Sequence, residues 1–175
     1  MKIKSIIFAV SSLILSGCST SIPEGLVPVT GFEADRYLGK WYEIARLDHP
    51  FEKGLSNVTA EYTLHDDGDI TVVNRGFDAG NGKWKEARGI ARFLGSRDTG
   101  SLKVSFFRPF WGGYHIIALD KKDYKSVMIA GPDRSYLWIL SRDKSLDDAV
   151  LKDYVAKAKK WGFDIDKLEY IRQER

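Results

Sequence analysis

From Gly39 to Leu140, apolar and polar residues alternate in short runs rich in Val, Ile, Phe, Tyr, Trp and Thr. Turn-forming stretches separate the runs: HDDGD at 65–69, DAGNG at 78–82, GSRDTG at 95–100, WGG at 111–113, DKKD at 120–123 and GPDR at 131–134. Alternation with period two sends successive side chains to opposite faces of a strand, and regularly spaced turns join neighbours as hairpins. The pattern predicts eight strands, at about 40–47, 57–64, 69–77, 84–94, 101–108, 114–120, 124–130 and 136–141. Eight consecutive antiparallel strands can close into a barrel wide enough for one small ligand. A change of period then marks a helix. Leu146, Val150, Tyr154, Ala158 and Trp161 recur at helical spacing, with Ser145 as the expected N-cap and Gly162 at the C′ position. Asp147 and Asp148 suit the positive end of its dipole, and Lys157, Lys159 and Lys160 the negative end. Residues 167–172 read as a final short strand. The expected fold class is all-β: an eight-stranded up-and-down antiparallel barrel with one C-terminal flanking α-helix.

The start of the chain follows other rules. Lys2 and Lys4 precede an apolar run from Ile6 to Leu15, and then L-S-G-C ends on Cys18, the single cysteine among 175 residues. This is a basic region, a hydrophobic region and a small-residue cleavage site. The run is shorter than the roughly 18 apolar residues of a membrane-spanning helix. L-S-G-C resembles the bacterial lipobox, which implies acylation of Cys18, cleavage before it and, with Ser19 following, sorting to the outer membrane. The expected organisation is a signal at 1–17, an acylated N-terminus and proline-containing linker at 18–30, and one barrel domain at 31–175. Cleavage removes two lysines, leaving 25 basic against 24 acidic residues, a balance that gives no nucleic-acid footprint.

Within the barrel region, G-K-W-Y-E-I-A-R at 39–46 resembles the G-x-W signature of the lipocalins, and L-S-R at 140–142 resembles their third motif. Their second motif, T-D-Y, falls on L-D-K at 119–121, where only Asp120 matches. The resemblance covers about 32–172 and is closest to the bacterial outer-membrane lipoprotein lipocalins. It implies structural roles for Gly39, Trp41, Asp120 and Arg142, with Trp41 plugging a closed end and Arg142 lying across its ring as a cation–π contact.

With Gly39–Trp41 at the closed end, the loops 48–56, 78–83, 108–113 and 131–135 form an open mouth. Alternation then sends inward Val58, Ala60 and Tyr62; Val72 and Asn74; Ala87, Gly89, Ala91 and Phe93; Leu102, Val104 and Phe106; Tyr114, Ile116 and Ala118; Val127 and Ile129; and Tyr136, Trp138 and Leu140. Small residues among aromatics leave space, and apolar walls with a few polar groups suit a ligand pocket. The expected cavity residues are Ala60, Tyr62, Val72, Asn74, Ala91, Val104, Phe106, Tyr114, Ile116, Tyr136 and Trp138. Phe51, Phe110 and Trp111, with Arg108 and Arg134, are the expected mouth and headgroup residues.

No G-x-S-x-G, H-E-x-x-H or glycine-rich phosphate loop occurs, and His49, His65 and His115 read as scattered surface residues. The expected function is therefore binding without catalysis or cofactor. The lining suits an amphiphile such as a lysophospholipid or fatty acid, with an anionic head at the mouth. The partners expected are that lipid and, through Cys18, a membrane; the aromatics at 110–111 also suit a homodimer contact. The alternative is an envelope interaction module that uses the barrel as a scaffold. Glu43 is the one carboxylate that alternation directs inward.

Overall fold

The computed structural model describes residues 19–174, so the signal segment and Cys18 lie outside the described residues. Eight antiparallel strands run β1 (Gly39–Leu47), β2 (Leu55–Leu64), β3 (Ile70–Asp78), β4 (Lys83–Phe93), β5 (Ser101–Phe107), β6 (Phe110–Leu119), β7 (Ser126–Ala130) and β8 (Leu137–Ser141). Each pairs with its neighbour in sequence, and β1 pairs with both β8 and β2, which closes the barrel. A four-residue helix α1 (Ala34–Tyr37), unforeseen by the periodicity, precedes β1 and carries buried Tyr37 under the barrel. A one-turn helix such as this is too short to show a period.

The interior apolar cluster joins Phe32, Tyr37 and Trp41 to the inward faces of the strands, including Ile70, Val72, Leu102, Ile116, Val127 and Ile129. A second cluster lies outside. There Tyr154 and Ala158 of helix α2 (Asp148–Lys160) cover Ala45, Leu47, Met128, Leu137 and Ile139 on the outer face of β1, β7 and β8. The N-cap lies two residues later than expected. Asp147, not Ser145, accepts hydrogen bonds from the N–H groups of Ala149 and Val150. A carboxylate in that position both satisfies free donors and meets the positive end of the dipole.

Two β-bulges change which side chains face inward. One falls between Ile116 and Ala118, so Ile117 and Ala118 both turn to the outer cluster and Leu119 returns to the interior. Ala118 is therefore outward, against the alternation. The second lies between Glu43 and Ala45, so Ile44 and Ala45 both face out. A bulge inserts one residue and resets the alternation beyond it. As a result Glu43 and Arg46, three apart on a strand, end up bonded on the same side.

Strand β6 starts at Phe110, so Trp111–Gly113 is strand, and the hairpin turn is Arg108–Pro109. Glycine at 113 serves close approach. A Cβ there would sit 2.6 Å from the His115 ring and 3.2 Å from the carbonyl of Ser21.

That approach belongs to the N-terminal segment, which is docked and not an extended leash. The N–H of Gly113 donates to Ser19 O at 3.0 Å, that of Val29 to Ile116 O at 2.8 Å, and that of Gly100 to Val29 O at 2.8 Å. Leu26 is buried, and Thr30 bridges to Thr99. Ile22 and Leu26 supply apolar side chains that the outer cluster covers, which offsets the entropy of ordering the segment. The roughly 40 Å reach of a fully extended linker is thereby lost.

At the opposite seam, β1 pairs with β2 only over Gly39–Tyr42 and then meets β9 (Leu168–Tyr170). The tail stitches the opening that remains. Gln173 Nε2 donates to the carbonyls of Glu43 and Val58, both at 2.8 Å, and the N–H of Asn57 donates to Arg172 O. Gln173→Ala leaves both carbonyls without that donor, and a stability loss of about 1–2 kcal/mol is expected. Thermal unfolding checks this; an unchanged midpoint would mean that water replaces the amide without loss.

Candidate ligand-binding site

The barrel is packed at its floor and hollow above. At the closed end, Trp41 is fully buried and donates its indole N–H to Tyr37 O at 2.8 Å. The Arg142 guanidinium lies 3.9 Å over the Trp41 ring and donates to the carbonyls of Lys40, Arg36, Leu38 and Tyr124. Asp120 caps the β6–β7 turn, accepting from the N–H groups of Lys122, Asp123 and Lys125. Ala91 and Ile116, expected to line a cavity, belong to this packed layer instead; Ala91 meets Phe32, Tyr37 and Leu102 around a void of only 10 Å³. Their strands pass the floor at that height, a position that alternation does not encode.

Three phenols separate floor from cavity. Tyr114 Oη lies 2.5 Å from Tyr37 Oη and 2.8 Å from Tyr62 Oη. Burial, the largest cause, pushes Tyr62 up to about 12. It also raises Tyr37 and Tyr114 well above the ordinary range, so the triad is neutral.

Above the triad opens a cavity of 360 Å³. Val58, Ala60, Tyr62, Val72, Asn74, Val104, Phe106, Tyr114, Tyr136 and Trp138 line it, as do Ile129 and Leu140. A neighbouring recess of 550 Å³ shares Phe51, Glu52, Val58, Asn74 and Phe106 with it. The space above Gly89 is not free. Phe106 lies across the glycine, where a Cβ would approach its ring to 2.8 Å. A larger concavity of 880 Å³ lies outside the barrel, walled by the charged outward side chains Lys40, Glu61, Arg75, Lys85 and Glu86. Such a wall suits solvent, not an apolar ligand.

The rim is apolar. Phe51, Phe107 and Phe110 are exposed there. Trp111 is shared with the outer wall, where Lys103 Nζ sits 4.8 Å and Arg92 5.6 Å from its ring centroid. Arg108 is exposed in the hairpin turn. Arg134 is not a free headgroup ligand. Its Nε donates to Trp161 O at 2.7 Å and its Nη2 to Glu24 O at 2.6 Å, so it caps helix α2 and pins the N-terminal segment.

The charged groups that do face the cavity are acidic. Glu43 and Glu52 line it, and both are buried. Glu43 Oε1 accepts from Arg46 Nη1 at 2.8 Å, Arg46 Nη2 donates to Glu52 O at 2.7 Å, and Trp138 Nε1 donates to Glu52 Oε2 at 3.0 Å. Burial, then the charge of Glu52, pushes Glu43 up to about 8, against the pull of Arg46. Burial raises Glu52 as well. Glu52 and Arg46 had no signal in the sequence, because a loop has no alternation to read and a bulge hides the second residue.

Two histidines are buried, contrary to the surface reading. His49 stacks on Tyr136, with ring centroids 4.0 Å apart, and His115 is covered by the docked N-terminal segment, its Nδ1 2.9 Å from Ser101 Oγ. Burial lowers both pKa values. Among the described residues, no group of three or more His, Cys, Asp or Glu is placed to hold a metal.

Comparison with known proteins agrees with this geometry. The model of the lipocalin-like domain matches residues 32–173. The outer membrane lipoprotein Blc of Vibrio cholerae is 46% identical over 98% of this chain and 99% of its own length. Its namesake in Escherichia coli K12 is 46% identical over 94% of this chain and 93% of its own. The crystal structure of the cockroach allergen Per a 4 superposes with a TM-score of 0.67 over 90% of this chain and 96% of that one, at 22% identity, which shows the fold alone. The closed eight-stranded barrel, the arginine over the signature tryptophan, the flanking helix and these matches lead to one conclusion: the chain belongs to the lipocalin family.

Proposed function

We propose that this chain is an outer-membrane lipoprotein that holds one single-chain amphiphile, a lysophospholipid or fatty acid, in its barrel. It stores or carries lipid during envelope maintenance or stress. The observation that carries this reading is the cavity: apolar side chains from β2, β3, β5, β6, β7 and β8, a hydroxyl floor, and an aromatic rim open to solvent. Its 360 Å³ falls within the range of small-molecule pockets. The two 46% identical relatives are named as outer membrane lipoproteins, and L-S-G-C supplies the matching acylation site at Cys18. Acyl chains contribute about 0.8 kcal/mol per buried methylene, so several chains on one cysteine hold a protein at a membrane. The segment that follows the anchor, residues 19–30, is docked on the barrel. The protein acts by binding and not by catalysis.

Ala60→Phe tests the reading. Its ring would enter the cavity from β2, where the alanine methyl now leaves room. A loss of lysolipid affinity of about tenfold or more is expected in a fluorescence titration, with the β-sheet circular dichroism unchanged. Unaltered affinity in the folded variant would place the lipid elsewhere.

A further inference from the structure

Charge, as well as apolarity, shapes the mouth half of the cavity. The Glu43 side chain is only 4% exposed, and Glu52 is 6% exposed. One oxygen of each is engaged, Glu43 Oε1 by Arg46 and Glu52 Oε2 by Trp138. The other oxygen of each, Glu43 Oε2 and Glu52 Oε1, accepts no hydrogen bond from the described residues. In the same cavity Asn74 Oδ1 is buried and without a partner, whereas the two carboxylate oxygens remain reachable by solvent. Among the described residues the buried cation here is Arg46, and it is shared further, lying 3.8 Å from Asp48 and 3.5 Å from Glu169. The rings of Phe51, Tyr136 and Trp138 line the same cavity. A buried acceptor without a donor, as Asn74 Oδ1 is, leaves its desolvation uncompensated. Aromatic faces attract cations.

A ligand cation would meet both needs. A quaternary ammonium carries no N–H and could use only the rings, whereas a primary ammonium also brings N–H donors for the free acceptors. Its charge would draw Glu43, which burial otherwise keeps protonated, into the ionised form, whereas a carboxylate or phosphate would oppose that ionisation.

We propose that this corner selects single-chain amphiphiles whose head group bears a protonated primary amine, the ammonium donating to Glu43, Glu52 and Asn74. The assignment rests on the amphiphile-binding reading of the cavity and refines its head group. It replaces the anionic head expected at Arg108 and Arg134 with a cationic one seated deeper, so that any phosphate of a zwitterionic head points outward.

The test compares lysophosphatidylethanolamine with its N-acetylated form, which has the same chain and phosphate but no ammonium. Tryptophan emission reads binding, since Trp138 lines the cavity. N-acetylation is expected to weaken binding about tenfold or more, as loss of charge-assisted hydrogen bonds does. A matched long-chain amine and its N-acetyl derivative are expected to show the same preference, which separates the ammonium from the phosphate. In Glu43→Gln and Glu52→Gln, checked for fold by circular dichroism, the preference is expected to collapse to about twofold or less. Equal binding of both lysolipids by the parent, or a preference that survives both substitutions, overturns the head-group assignment alone. Failure of the parent to bind either form removes the amphiphile reading, and this proposal with it.

Discussion

Arg142→Ala is expected to destabilise the folded barrel by about 2–4 kcal/mol, which would appear as a large fall in the urea midpoint at an unchanged slope. The guanidinium is a hub at the closed end. Its Nη1 donates to Lys40 O at 2.8 Å, its Nη2 to Arg36 O at 2.7 Å and to Leu38 O at 2.9 Å, and its Nε to Tyr124 O at 3.3 Å. These carbonyls come from α1, the entry to β1 and the β6–β7 turn, so one side chain holds three segments against the floor. It also covers the Trp41 ring at 3.9 Å. An uncovered ring and undonated carbonyls each add to the loss, and partial exposure of the site to water limits it. Arg142→Lys should recover little, because a point ammonium cannot replace a planar fork across several acceptors. Stability of the alanine variant within about 0.5 kcal/mol of the parent would contradict this role.

The second large effect is a dependence on pH. Glu43 titrates at about 8 in the folded protein against an ordinary 4.5. Between those values the folded state keeps a proton that the unfolded state has released. Stability therefore falls as pH rises through this window: the contribution of Glu43 is fully present below about 4.5 and lost by about 8. Burial raises Glu52 too, so its contribution has the same sign. Glu43→Gln imitates the protonated acid and still offers Arg46 an acceptor. The variant should match the parent near pH 5 and exceed it near pH 8.5, by an amount on the order of a few kcal/mol. Thermal melts at the two pH values measure this. Parallel losses in parent and variant would show that Glu43 is ionised in the fold through its contact with Arg46.

Much of the barrel was readable from period-two alternation, since one buried face per strand enforces it. Val58, Ala60, Tyr62, Val72, Asn74, Val104, Tyr114, Tyr136 and Trp138 all face the cavity as alternation places them. The departures have local causes. Bulges in β1 and β6 reset the alternation, which turned Ala118 outward and brought Glu43 beside Arg46. Height along the barrel is not encoded by period, so Ala91 and Ile116 fell below the cavity, in the packed floor. The docking of residues 19–30 was hidden for another reason. Pro23 and Pro28 suggest a linker, while Ile22, Leu26 and Val29 are too few to show a period. That docking buries His115 and occupies Arg134, and it accounts for most of what the sequence reading placed wrongly on the surface.

The central claim is that the cavity holds one single-chain amphiphile. Native mass spectrometry of the protein extracted from membranes in mild detergent tests it most directly. The account predicts an added mass corresponding to one single-chain lipid per barrel, absent from Ala60→Phe prepared in the same way. An empty barrel in every preparation of the parent, or the same added mass on the cavity-filled variant, would contradict it.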